Sequence, residues 1–134
     1  MDRLIAPVHH IGCLVSSLEE AVKDYQILYP AGTVSEIYDI EDQKVRVCFY
    51  TIGNIHIEFV EPHKVETALF RMLQKKPGFY HIGIFTADID KETERLENEG
   101  YRKINKFRSV AFNNRYCVFM YNNEMHLIEL IEAE

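Results

Sequence analysis

Apolar positions recur along the chain in two rhythms, one with the period of a strand and one with the period of a helix. Val8 to Val15 is a short apolar run with β-branched residues, and Phe79 to Thr86 is its like; both read as strands. After the first, Leu18, Ala21, Val22, Tyr25, Leu28 and Tyr29 follow at helical spacing. Ser17 with Glu20 three residues on fits a capping box, so a helix runs to about Tyr29, where Pro30 stops it. After the second, Asp88 is the N-cap, Ile89 and Leu96 hold the inner face, and Gly100 suits the position just past the helix end. Three strand-like runs follow each helix, about 33–40, 44–51 and 55–61, then 101–106, 115–121 and 126–132. Val65, Ala68, Leu69, Met72 and Leu73 predict a linker helix over about 65–75 that ends before Pro77-Gly78.

The two halves are copies of one unit. His10-Ile11-Gly12 recurs as His81-Ile82-Gly83, and 81 − 10 = 71. Ile55-His56-Ile57-Glu58-Phe59-Val60-Glu61 recurs as His126-Leu127-Ile128-Glu129-Leu130-Ile131-Glu132, where 129 − 58 = 71 again. Val45 to Tyr50 falls on Tyr116 to Tyr121 at the same offset without a gap. A repeat of this kind predicts one domain over 1–134 made of two βαβββ modules, about 7–62 and 78–134.

Four ionisable residues break the apolar pattern at matching places: His10, Glu58, His81 and Glu129. Alternation along a strand sets Glu58 on the face of His56 and Val60, against Ile57 and Phe59, and turns His10 away from His9. A single histidine at a strand start is more often a packed core residue than a ligand, and a single glutamate there usually faces solvent. Four of them at one shared offset are harder to account for that way, because a unit repeated for its fold alone has no reason to keep buried ionisable positions. Were the modules packed about a pseudo-twofold, two neutral imidazoles and two carboxylates would surround a divalent cation whose charge they balance. His56 is expected to lie roughly 7 Å from Glu58 along the same face. His9, His56 and His126 read first as packed histidines, His63 after Pro62 as a solvated one, and Tyr25, Tyr29, Tyr50, Tyr80 and Tyr121 as core.

Composition narrows the function further. Fifteen Lys+Arg against 21 Asp+Glu give a net charge of −6, which argues against broad binding to nucleic acid or to anionic membranes. Cys13, Cys48 and Cys117 sit in apolar runs without metal-type spacing and read as buried reduced thiols. No basic segment followed by an apolar stretch opens the chain, and no window approaches the ~18 apolar residues of a membrane span, so a cytoplasmic protein is expected.

The His-Ile-Gly that opens each module, the helix Leu18-Glu19-Glu20-Ala21-Val22-Lys23-Asp24-Tyr25 and the closing Ile57-Glu58-Phe59-Val60-Glu61-Pro62 resemble the vicinal oxygen chelate superfamily. That group holds glyoxalase I, methylmalonyl-CoA epimerase, extradiol dioxygenases and bleomycin-resistance proteins. Val34-Ser35-Glu36, Val45-Arg46-Val47, Gly53-Asn54, Tyr80-His81-Ile82-Gly83 and Leu127-Ile128-Glu129-Leu130 are similar to its methylmalonyl-CoA epimerase-like and glyoxalase I-like members. Two features depart from the epimerases: Val47 stands near an acid/base glutamate seen in some of them, and Tyr121-Asn122-Asn123-Glu124-Met125 replaces a His-Pro-Lys and glycine-rich segment.

The resemblance implies an α+β fold in which the paired modules form a curved eight-stranded mixed sheet. It implies that His10, Glu58, His81 and Glu129 ligate a divalent ion such as Zn2+, Ni2+, Co2+ or Mn2+. The implied activity is that of a metal-dependent isomerase or lyase, which removes a proton next to a metal-chelated carbonyl and stabilises the enolate or enediolate. Glu129 is the expected base and Glu58 the second candidate. An acyl thioester or a hemithioacetal is the expected substrate, and a homodimer the expected assembly. Lactoylglutathione lyase proper is the first alternative. An Fe(II) dioxygenase is the next, although such enzymes need only two histidines and one carboxylate. A non-catalytic small-molecule binder, a class that lacks the ligand set, comes last.

Overall fold

The computed structural model describes residues 7–122 and 127–133, with nine strands and three α-helices among them. They form two compact units, one spanning His10–Tyr80 and the other made of the described residues on either side of it. Both parallel and antiparallel pairings occur, as expected of an α+β fold with a mixed sheet. None of the described helices is long and apolar enough to cross a membrane.

The first unit is built on β4 (Val45–Ile52) and β5 (Ile55–Pro62), an antiparallel hairpin turning at Gly53, whose φ of 60° suits a residue without Cβ. On its other side β5 runs parallel to β1 (Val8–Leu14), pairing Gly12 with Glu58 and Cys13 with Phe59. Alternation sends Cys13, Cys48, Tyr50, Ile57 and Phe59 to one face, where they bury against Leu18 and Ala21 of α1 (Leu18–Leu28). Ser17 Oγ caps α1 by accepting from the Glu20 amide at 3.2 Å. Glu61 Oε1 reaches the helix from β5, accepting from the Leu18 amide at 3.0 Å and from Arg46 at 2.8 Å, and so ties the positive end of the helix to the sheet.

The run expected as one strand over 33–40 is two, β2 (Thr33–Val34) and β3 (Tyr38–Ile40), both antiparallel to β4. The break follows from Ser35: its amide donates to Phe49 O at 2.9 Å, but the Phe49 amide donates to its hydroxyl rather than to a backbone carbonyl, also at 2.9 Å. A side chain thus takes over one rung of the ladder, and the backbone leaves the sheet there. Nine strands therefore stand where eight were expected. The linker helix starts later than expected, as α2 (Ala68–Lys75), because the Thr67 hydroxyl caps it by accepting from the Phe70 amide at 3.1 Å.

In the second unit β6 (Gly78–Thr86) runs parallel to β9 (Leu127–Glu132), which pairs antiparallel with β8 (Arg115–Tyr121), and β8 with β7 (Arg102–Ser109). Helix α3 (Ile89–Asn98), capped by Asp88, presses Ile89 and Leu96 onto Val118, Met120 and Leu130. β7 extends past the expected 101–106 and carries an irregularity between Lys103 and Asn105.

Candidate metal centre

His10 and Glu58 come from neighbouring strands of the first unit and stand on the face that α1 leaves uncovered. The parallel register sets Gly12 beside Glu58, and the antiparallel one sets Phe49 on its other side. Glycine adds no side chain to that face, so the space next to the carboxylate is not filled from β1. His10 Nε2 approaches Glu58 Oε1 to 3.2 Å, and the Phe49 ring meets the imidazole edge-on at 5.7 Å between centroids.

The second unit builds the same arrangement from other residues. Gly83 and Phe119 flank Glu129 in the register, His81 Nε2 approaches Glu129 Oε1 to 3.4 Å, and Phe119 meets the His81 ring edge-on at 5.4 Å. All four ionisable residues are buried, with His10 at 1% exposure and Glu58, His81 and Glu129 at 4% each. Among the described residues Glu58 and Glu129 are the buried carboxylates.

The two phenylalanines show that the repeat is gapped. At a constant offset of 71, Phe49 would match Met120, but the register places Phe119 against Glu129 as Phe49 is placed against Glu58, and 119 − 49 = 70. The extra residue lies in the β8–β9 connection: four residues separate the paired Thr51 and His56, and five separate Tyr121 and Leu127. With the shift, Cys48 and Tyr50, which pack under α1, match Val118 and Met120, which pack under α3. Phe49 and Phe119 were absent from the candidates drawn from sequence. A search for Phe-on-Phe matches with one gap allowed would have found them.

The donor set suits a divalent cation. Two ligand atoms each ~2.1 Å from one ion, at octahedral to tetrahedral angles, stand roughly 3.0–3.4 Å apart, and the separations of 3.2 and 3.4 Å agree with that. Imidazole nitrogen with carboxylate oxygen is a combination that first-row ions such as Zn2+, Ni2+, Co2+ and Mn2+ accept. A buried carboxylate needs a compensating partner, and a cation supplies one.

The remaining candidates fall elsewhere. His56 shares the face of Glu58 and is joined to Thr51 Oγ1 through Nδ1 at 2.8 Å. His9 packs edge-on against Phe85 and Phe112, at 5.3 and 5.1 Å, as a core histidine does. His63, expected to be solvated, instead bonds Asp39 Oδ1 through Nε2 at 2.9 Å, and with Glu41 these two make a second, largely exposed group of possible ligands. His126 lies outside the described residues. Tyr25 and Tyr50 belong to the core, whereas Tyr29 is exposed and Tyr121 lies half-buried on the face that carries His81. Val47, on the face of Glu58 between Val60 and Tyr38, is buried and has no group that could move a proton.

Known proteins bear on this geometry. A family model for the Glyoxalase/Bleomycin resistance protein/Dioxygenase superfamily matches residues 9–119. An uncharacterised Bacillus subtilis protein, YqjC, is 26% identical over 128 residues, 93% of this chain and 91% of that one. Mouse mitochondrial methylmalonyl-CoA epimerase is 24% identical over 94% of this chain and 72% of its own. Among solved structures, a methylmalonyl-CoA epimerase in complex with methylmalonyl-CoA and NH4+ superposes with a TM-score of 0.83 at 24% identity, covering 96% of this chain and 95% of that one. The fold is therefore glyoxalase-like, and the chain belongs to the glyoxalase/bleomycin resistance protein/dioxygenase superfamily.

Proposed function

We propose that the protein is a metal-dependent isomerase or lyase that moves a proton next to a carbonyl, acting on an acyl thioester or a hemithioacetal. The reading takes 1–134 as one domain of two βαβββ modules, 7–62 and 78–134, whose His10, Glu58, His81 and Glu129 together hold one divalent ion. It rests on one observation: the same buried His–Glu pair, spaced as two ligands of one ion, occurs once in each half of the chain. Two carboxylates and two neutral imidazoles balance a charge of +2, which lets four polar groups stay buried. Relatives whose names or complexes involve methylmalonyl-CoA support a thioester as the substrate class.

When bound, a divalent ion supplies Lewis-acid polarisation of the substrate carbonyl, which makes the neighbouring C–H more acidic. The protein's own task is to take that proton and give it back. Glu129 accepts it on a carboxylate oxygen and, once protonated, can give the same proton back; Glu58, at the equivalent place in the other half, can return one only when it enters the cycle protonated, Glu129 then releasing its proton to solvent. Return to the same carbon from the opposite side is epimerisation; return to the adjacent carbon is the isomerisation of a hemithioacetal. A hemithioacetal is kept as a second reading because Val47, which has no group that could move a proton, stands near an acid/base glutamate seen in some epimerases, and among the described residues the two glutamates are the buried carboxylates.

The test is deuterium exchange in heavy water, with metal-loaded protein and either a 2-methylacyl thioester or a hemithioacetal. Deuterium should enter at the α-carbon of one of them. Glu129→Gln should slow exchange by roughly a hundredfold to ten-thousandfold while losing less of its metal. Full exchange in Glu129→Gln together with its loss in Glu58→Gln would reverse the two roles. No exchange with either substrate would overturn the reading, and oxygen consumption by the iron form would point to a dioxygenase.

A further inference from the structure

Across the second unit the register lays one row of residues over four strands. His81 pairs with Leu127, Leu127 with Tyr121, and Tyr121 with Arg102. Directly paired residues share a face, so the row puts Arg102 on the face that carries His81 and Glu129, at the edge strand of the unit. The neighbours agree: Tyr101 and Met120 pack on the opposite face, against the cluster under α3. Leu127 and Tyr121, half-buried, floor the space between.

Arg102 also differs from the other described arginines in its partners. Arg46 binds Glu19 and Glu61, Arg71 binds Glu66, Arg95 binds Glu92, Arg108 binds Asn114 O and Tyr116, and Arg115 binds backbone carbonyls. Arg102 is exposed and has no such bond among the described residues, in a chain whose net charge is −6. Among the described residues nothing takes up its fork of donors, while the other described arginines spend theirs on carboxylates, carbonyls or a phenol.

We propose that Arg102 binds an anionic group of the substrate, a carboxylate or a phosphate, on the thiol carrier beyond the reacting acyl group. The inference rests on the reading above, in which the acyl end sits at His81 and Glu129. Three strand spacings of ~4.8 Å separate Arg102 from the His81 strand by roughly 14 Å, less the reach of its own side chain. A carrier laid along the row from the metal would therefore cross Leu127 and Tyr121 and end at the guanidinium, whose planar fork suits two oxygens of one anion.

The test compares one acyl group on three carriers: butyryl-coenzyme A, which bears phosphates; S-butyrylglutathione, which bears carboxylates; and neutral S-butyryl-N-acetylcysteamine. Each is titrated calorimetrically into zinc-loaded wild type, Arg102→Ala and Arg102→Lys. In the wild type at least one charged carrier should bind tenfold or more tightly than the neutral one, and that advantage should shrink with added salt. Arg102→Ala should bring the ratio near one for that carrier, Arg102→Lys should keep part of it, and both variants should melt with the wild type. The carrier whose ratio collapses tells whether phosphate or carboxylate is read. A charged-carrier advantage that survives in Arg102→Ala, or none in the wild type, overturns the proposal. Removing zinc from the wild type tests the underlying reading separately: if all three thioesters still bind as before, the metal-centred reading fails whatever the Arg102 ratios show.

Discussion

The proposed chemistry rests on a few buried side chains whose surroundings are alike in the two halves of the chain. His10 and His81 each have a glutamate oxygen within 3.4 Å and a phenylalanine ring packed edge-on beside the imidazole. Substituting either histidine by alanine should remove most of the stabilisation that added metal gives, read as the difference in melting temperature with and without Zn2+. A metal response retained in both variants would place the ion elsewhere. The cysteines make a separate prediction. Burial pushes the Cys48 thiol up from 9.0 to about 11, with the negative charge of Glu19 adding to it. Because the folded state holds this proton more tightly than the unfolded one, the associated stability is present in full below pH 9 and lost as pH rises towards 11. Urea midpoints should therefore fall between those pH values, and fall less in Cys48→Val. With Cys13, Cys48 and Cys117 all buried, a thiol reagent at neutral pH should label the native protein far more slowly than the unfolded one.

Helices and strands were legible in the sequence wherever their signals are local. The Ser17 cap, the helical spacing that follows and the stop at Pro30 bring α1 to within a residue of its expected end, and the apolar runs locate β1, β4, β5, β6 and β8 equally well. The division of 33–40 was not legible, because it depends on a hydroxyl that accepts from an amide 14 residues further along the chain. Ser35→Ala takes that acceptor from Phe49 and should cost about 1–2 kcal/mol, near the lower part of the range for a lost partner since the site is half-buried. A urea midpoint equal to that of the wild type would show that the ladder repairs itself. The approach of the chain to β4 at Gly32 is a second such dependence. A Cβ placed there would lie 2.5 Å from the fully buried Tyr50 ring, whose hydroxyl donates to Tyr29 O at 2.6 Å. Gly32→Ala must displace that ring and should lower stability by ~1–3 kcal/mol.

At the scale of the whole molecule the repeat carried most of the information. It singled out His10, Glu58, His81 and Glu129 without any knowledge of which strands pair, because ionisable residues kept at one offset inside apolar strands are hard to account for by packing alone. What it could not reveal was the single-residue shift in β8, which needs the hydrogen-bond register, and with it the matched phenylalanines. Metal binding of this kind should couple to folding. At free Zn2+ a hundred to a thousand times its dissociation constant, the linked stabilisation is ~3–4 kcal/mol, which should appear as a fall in melting temperature when a chelator is added. The central claim is that two equivalent His–Glu pairs serve one ion, and metal stoichiometry tests it most directly. Protein dialysed against limiting buffered Zn2+ should carry one ion per chain, and His10→Ala and His81→Ala should each lose it. Two ions per chain, or loss confined to the variant of one pair, would contradict the account.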